Sequence, residues 1–239
     1  MRTTTRSTYR YYDLIMALFV TVLLISNLLS SAKIIDLQAA LGPIELAFDA
    51  GTLVFPVSYI FGDVLTEVYG YRRARRVIWA GFGANALLGL FVWLAGVLPG
   101  ESEWQGYAGQ EAYEAILGGI SGLIVASLVA YFLGEFTNSY LLARLKVMTG
   151  GRWLWLRTIG STLAGQAIDT TVFMLIATGL GVFPAELLLS LIVTNYILKV
   201  GIEVLLTPLT YRIVNALKSA EHEDYFDRAT DFNPFKISV

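Results

Sequence analysis

The sequence predicts an all-α integral membrane protein with six transmembrane helices. Three observations carry that prediction. Of 239 residues, 56% are hydrophobic and only 15% charged, against roughly 25% charged in an average soluble domain. The mean hydropathy is +0.62, so a soluble globule of this length could hardly cover its surface. Six apolar stretches each reach the roughly 20 residues that a spanning helix needs. The basic residues alternate between successive connections, as an even number of crossings requires.

Taken in order, the stretches are 11–31, 51–70, 77–98, 113–142, 154–180 and 185–209. The first is too long for a signal-peptide core and is closed by no A-x-A-like site, so it is expected to remain as a span. The second contains Pro56, which removes one helical hydrogen bond and presses on the carbonyl of Thr52. It therefore either starts irregularly or simply carries proline in its first turn. The fourth and fifth are long enough to tilt or to extend past the hydrocarbon. This divides the chain into an N-terminal tail (1–10), a six-helix transmembrane domain (11–215) and a polar tail (216–239), with no separate soluble domain expected.

Orientation follows from the cations. Arg2, Arg6 and Arg10 precede the first stretch, and Arg72, Arg73, Arg75 and Arg76 follow the second. Arg144, Lys146, Arg152 and Arg157 lie between the fourth and fifth, and Arg212, Lys218, Arg228 and Lys236 follow the sixth. The opposite connections hold Lys33 among acids that include Asp36, Glu45, Asp49, Glu101 and Glu186. Both termini are therefore expected on the cytoplasmic side of a cell inner membrane. Trp79, Trp93, Trp153 and Trp155 read as interfacial belt residues. The stretch from Glu221 to Asp231 reads as a solvated tail.

Composition excludes several function classes. There are no cysteines, and the single histidine, His222, lies in the polar tail. Disulfides, CxxC redox pairs, cysteine nucleophiles and multi-histidine metal sites are removed. A net charge of −2 gives no bulk basic surface for nucleic acid. Neither HExxH nor GxSxG occurs. No enzyme, cofactor or metal is expected.

The informative residues are those a bilayer disfavours, since an ionised group deep in a span costs about 2.5–3.5 kcal/mol or more. Tyr59, Asp63 and Glu67 recur at four-residue spacing along the second stretch, on one helical face. Glu135 and Asn138 are neighbours in the fourth. Gln166 and Asp169 lie in the fifth with Thr162 and Thr170, and Asn195, Lys199 and Glu203 form one stripe of the sixth. The economical packing turns these faces inward around one cavity. Alternatives stand beside this. Glu67 could pair with the nearby arginine run, Glu135 with Arg144, and Lys199 with Glu203 or with Asp169 purely to fix packing. Asp169 is the hardest to dismiss, being too far from either end of its span to snorkel.

The run Phe55-Pro56-Val57-Ser58-Tyr59-Ile60-Phe61-Gly62-Asp63-Val64-Leu65-Thr66-Glu67-Val68-Tyr69-Gly70, with the arginine cluster after it, resembles the queuosine precursor transporter subfamily of the vitamin uptake transporters. Glu135, Asn138 and Ser139, then Arg157 to Thr162, Gly165, Gln166, Asp169 and Phe173, and finally Asn195, Tyr196, Lys199, Glu203, Pro208 and Tyr211, are similar as well. The resemblance implies a fold like the substrate-binding components of energy-coupling-factor transporters. It also implies import of 7-deazaguanine bases such as preQ0 or preQ1 for queuosine salvage. Those components commonly dock an ATPase module through a small-xxx-small face on the first span. This chain offers only Ser26-x-x-x-Ser30 there, which favours a stand-alone carrier over an ATP-driven importer of a vitamin-like molecule.

The chemistry fits a purine-like ligand. A guanine-like edge presents two adjacent N–H donors to a carboxylate, either Asp169 or Glu67. Gln166, Asn195 and Asn138 would orient the base, and Tyr59, Phe173 and Tyr196 would stack on it, at about 1–3 kcal/mol per base by nucleic-acid analogy. Asp63, Glu135, Lys199 and Glu203 complete the expected substrate site. The expected partners are the lipid bilayer and this small molecule, with a homo-oligomer left open, an ATPase module only in the alternative reading, and no nucleic acid.

Overall fold

The computed structural model describes residues 9–236; Arg2 and Arg6 of the expected tail lie outside the described residues. In chain order the elements are α1 (Tyr12–Ala32), an antiparallel hairpin of β1 (Ile34–Leu41) and β2 (Ile44–Asp49), a tight 3-10 turn (Ala50–Leu53), α2 (Phe55–Tyr69) and α3 (Tyr71–Val97). Two short helices follow, α4 (Ser102–Tyr107) and α5 (Gly109–Tyr113), and lead through a wide turn into α6 (Ile120–Met148). Then come α7 (Leu154–Gly179) and α8 (Leu188–Glu221). The bundle is inverted relative to a soluble protein. Leu14, Leu87, Phe91, Val125 and Leu205 are exposed on its outside, while Asn85, Asn138, Gln166, Thr170 and Asn195 are wholly buried.

Among the described residues, five helices are long and apolar enough to cross a membrane: α1, α3, α6, α7 and α8. The second expected span differs. Of the stretch 51–70, only 15 residues are α-helical, about 22 Å at 1.5 Å per residue against about 30 Å of hydrocarbon. Pro56 sits in the first turn of α2, where its missing N–H costs nothing. Before it the chain is folded tightly against α1, and a Cβ at Gly51 would lie 2.1 Å from Ser30 Oγ. Gly70, at φ 83°, ends α2 and starts α3, a left-handed conformation that favours glycine. The hairpin was read from sequence as plain connection. Its turn is Gly42-Pro43, with Leu41 opposite Ile44.

Contacts sort the connections onto two ends. At one, the Ser190 hydroxyl donates to Glu45 O and Val182 packs against Gly122. At the other, Tyr11 N donates to Glu221 Oε1 at 2.7 Å, the Tyr12 hydroxyl to Arg73 O at 3.0 Å, and Tyr225 N to Val68 O at 3.2 Å. The start of α1 and the end of α8 thus share one end. Arg73, Lys146 and Lys218 from the basic groups meet there too.

The C-terminal segment is packed, contrary to the expectation of a solvated tail. Tyr71 N donates to Asp227 Oδ2 at 3.1 Å, Arg75 Nη1 to Asp231 O at 3.0 Å, and Trp79 Nε1 to Pro234 O at 2.8 Å. Phe232 and Phe235 stack against Tyr71 and Phe132. Trp79 therefore anchors this strap rather than a lipid belt, whereas Trp93, Trp153 and Trp155 are exposed as expected. Apolar contacts of Tyr225 and Phe226 at one end of the segment and of Phe232 and Phe235 at the other hold it down despite its charges. Helix α8 itself runs to Glu221, past the boundary expected at 215.

Helices α6 and α7 cross at two glycines. A Cβ on Gly165 would stand 2.8 Å from Asn138 Cβ and 3.1 Å from Gly134 O, and one on Gly134 would stand 2.6 Å from Asp169 Cβ. Small residues at such crossings let backbones approach. Gly165→Val is expected to cost about 3 kcal/mol through overpacking and to deplete monodisperse protein in detergent size-exclusion chromatography. A normal yield would show that the crossing can relax.

Candidate functional site

The interior polar residues form three layers along the bundle. The first, nearest the hairpin, surrounds a small cavity of about 20 Å³, room for about one water. Helix α1 contributes Ser26, Asn27 and Ser30; the segment entering α2 contributes Asp49, Thr52 and Phe55; α7 contributes Asp169 and Phe173; α8 contributes Lys199. Lys199 Nζ donates to Asp169 Oδ2 at 3.1 Å and lies 4.2 Å from the Phe55 ring centroid. The Thr52 hydroxyl bridges Asp49 and Asn195, which leaves the Asn195 amide nitrogen buried without a partner. Asn27 Nδ2 donates to Asn85 Oδ1 at 3.0 Å, fixing α1 to α3. Two carboxylates, a cation, an amide, hydroxyls and two phenyl rings therefore converge on one small space. That is the composition of a site for a small, flat, polar molecule.

The second layer contains Asp63, Glu135, Asn138, Glu203 and Tyr59. Asn138 Nδ2 donates to Asp63 Oδ1 at 2.8 Å, and the Thr162 hydroxyl donates to Glu203 Oε1. Among the described residues, neither Glu135 oxygen, nor the Tyr59 hydroxyl, nor either end of the Gln166 amide has a hydrogen-bond partner of good geometry. In the third layer Glu67 Oε1 accepts from Lys218 Nζ at 2.7 Å and Arg157 Nη2 at 2.8 Å, with Lys146 Nζ 3.5 Å away. Lys146 and Lys218 also bind Asp224 at 2.6 and 2.8 Å. Burial pushes the Asp224 carboxyl up, but these two ammonium groups more than offset it and hold it below the usual carboxylate range.

Eleven of the expected site residues point inward; Tyr196 does not. It is one residue from Asn195, hence about 100° around the helix, and its hydroxyl donates outward to Leu163 O at 3.3 Å. The alternatives also resolve. Lys199 pairs with Asp169 rather than Glu203, Glu67 with Lys146, Arg157 and Lys218 rather than the 72–76 run, and Glu135 has no bond to Arg144. Sequence reasoning missed Asn27, Asp49, Thr52 and Phe55. Ser26, Asn27 and Ser30 lie within one turn and a bit of an otherwise apolar span, which was the available signal. Asp49 looked like a loop acid.

Comparison with known proteins gives the family. Residues 49–213 match the family described as "Putative vitamin uptake transporter". The chain belongs to the vitamin uptake transporter family. Within it, the curated relatives belong to the queuosine precursor transporter subfamily, and so does this chain. It is 30% identical over 197 residues to the "Probable queuosine precursor transporter" of Bacillus subtilis (strain 168), covering 81% of this chain and 79% of that one. It is 30% identical over 156 residues to the "Queuosine precursor transporter" of Escherichia coli (strain K12), covering 64% and 66%. It is 26% identical over 166 residues to the "Probable queuosine precursor transporter" of Haemophilus influenzae, covering 69% and 67%. No solved structure matches. For this member of the family, Ser26 and Ser30 are not an outward docking face. Ser26 donates to Gly51 O at 3.0 Å and Ser30 to Asp49, both inside the bundle.

Proposed function

We propose that the chain is a carrier that imports queuosine precursors, 7-deazaguanine bases such as preQ0 or preQ1, through the inner membrane for queuosine salvage. The observation that carries this is the Asp169–Lys199 pair on the wall of a cavity edged by Phe55 and Phe173. A 7-deazaguanine has two adjacent N–H donors, which Asp169 can accept together once Lys199 yields one of its contacts. The unpartnered amide nitrogen of Asn195 suits the exocyclic oxygen, with Gln166 as a second orienting amide, and the phenyl rings suit the flat face. In this reading α2 is a short sixth crossing. The body then resembles energy-coupling-factor substrate-binding components, and both termini are cytoplasmic. The inward positions of Ser26 and Ser30 support a carrier that works without an ATPase module.

The test is uptake of labelled precursor into proteoliposomes that contain only this chain. The expected result is saturable accumulation that unlabelled 7-deazaguanine competes away. Folded protein that binds the base but moves none would favour the ATP-driven importer instead.

A further inference from the structure

The second layer holds three carboxyl groups that no cation engages among the described residues. Asp63, Glu135 and Glu203 are 1%, 1% and 2% exposed and come from three different helices, α2, α6 and α8. They are close enough to act on one another electrostatically. Glu135 Oε1 would stand 2.4 Å from a Cβ on Gly62, the residue before Asp63, so it is aimed at α2. Among the described residues, no salt bridge reaches any of the three.

The groups that face the trio are known from each packed helix. Helix α2 brings Tyr59, α6 brings Tyr131, and α7 brings Asp169, which is held by Lys199 of α8. The nearest cations on the opposite side, Lys146, Arg157 and Lys218, are engaged by Glu67. Helices α1 and α3 carry their ionisable groups only in their first two turns, at the terminal end. Three ionised carboxylates in such a place would repel one another with only the Asn138 amide and the Thr162 hydroxyl to solvate them, and buried charges of that kind take up protons instead.

Two neutral side chains point to the same occupant. The Tyr59 hydroxyl is 1% exposed, has no partner, and lies among Glu135, Glu203 and Asp169. Asn138 donates to Asp63 while its own Oδ1 is buried and unpaired; such an oxygen is an acceptor for a carboxylic O–H. Among the described residues, no three acidic or histidine groups have the spacing of a metal site. The smallest cation fits without any such spacing.

We propose that Asp63, Glu135 and Glu203 form a proton-binding site, separate from the Asp169 cavity, whose loading and release drives the transport cycle. This rests on the carrier reading for the cycle but not for the site itself. The site lies between the cavity and the clasp around Glu67. Protons that enter with substrate and leave at the terminal end would carry the carrier forward, and ionised acids would hold it back. Atoms balance simply: each carboxylate accepts one proton on one oxygen and later returns it to water.

The test has two arms on the full chain. Infrared spectroscopy of the purified protein at neutral pH should show protonated carboxyl absorption, reduced in Glu135→Gln and again in Glu135→Gln/Glu203→Gln. No such band, or a band unchanged by both variants, overturns the site. In proteoliposomes, uptake should rise at least tenfold when the outside is made acidic, and whatever uptake Glu135→Gln retains should ignore the gradient. Wild-type uptake that ignores pH but follows a sodium gradient overturns the coupling. A wild type that takes up no precursor would sink the carrier reading alone, because the infrared arm still decides the site.

Discussion

Asp169→Asn is expected to abolish precursor uptake while the protein stays folded in the membrane. Asparagine matches aspartate in shape but offers one acceptor and one donor where a guanine-like edge needs two acceptors. It also leaves Lys199, which is buried and among the described residues forms its salt bridge with Asp169, without its counter-charge. Losing one partner of a buried ion pair costs about 3–5 kcal/mol, and each 1.4 kcal/mol is a factor of ten, so uptake should fall on the order of 100-fold or more. Part of that cost could be structural. The double variant Asp169→Asn/Lys199→Met separates the two, because it removes both charges together, and replacing a whole buried pair is often neutral. It should recover wild-type amounts of folded protein and still take up nothing. Uptake restored along with folding would reduce Asp169 to a packing residue, and normal uptake by Asp169→Asn itself would end its assigned role outright.

The membrane class was legible because it depends on averages: few charges, long apolar runs and alternating cations. The inward polar stripes were legible because i,i+4 spacing survives any packing arrangement. What failed to show is local. Hydropathy counted Gly51 to Val54 as part of a span, but these residues fold as a turn against Ser26 and Ser30, so α2 came out short. Cation counting treats Lys146 and Arg157 as loop charges that fix orientation. It cannot see that both are 1% exposed and turned inward onto Glu67. Tyr196 was chosen by residue type, and its neighbour Asn195 by stripe; only the second criterion respects helical rotation. The cavity wall from α1 was overlooked because serine and asparagine carry no charge to mark them, although three polar residues within five positions of an apolar helix already cost enough to need partners.

Glu67→Ala should produce the largest loss of stability in the chain. Glu67 is wholly buried in α2, and its Oε1 meets cations from the end of α6, the start of α7 and the last turns of α8. Lys146 also donates to the Glu67 main-chain oxygen at 2.5 Å and to Tyr225 O at 2.7 Å, so the same network fastens the C-terminal strap. Alanine would leave three cations facing Asp224 alone. The expected cost is about 3–5 kcal/mol, on the order of 10 °C in thermal unfolding for a chain of this size. Glu67→Gln keeps the acceptor oxygen and should lose about half as much. Adding Lys218→Met to Glu67→Gln restores the wild-type net charge of the cluster, three cations and two acids becoming two and one, and should recover part of the loss. These shifts separate a clasp from a ligand site. If Glu67 clasps the bundle, its variants lower the amount of folded protein and leave precursor affinity per folded molecule unchanged. If Glu67 is the carboxylate that accepts the base, affinity collapses in Glu67→Gln, and adding Lys218→Met does not rescue it. Its three cationic neighbours, which all converge on Oε1, and its absence from the lining of the Asp169 cavity favour the first outcome; Oε2, buried without a hydrogen-bond partner among the described residues, is the atom through which the second would arise.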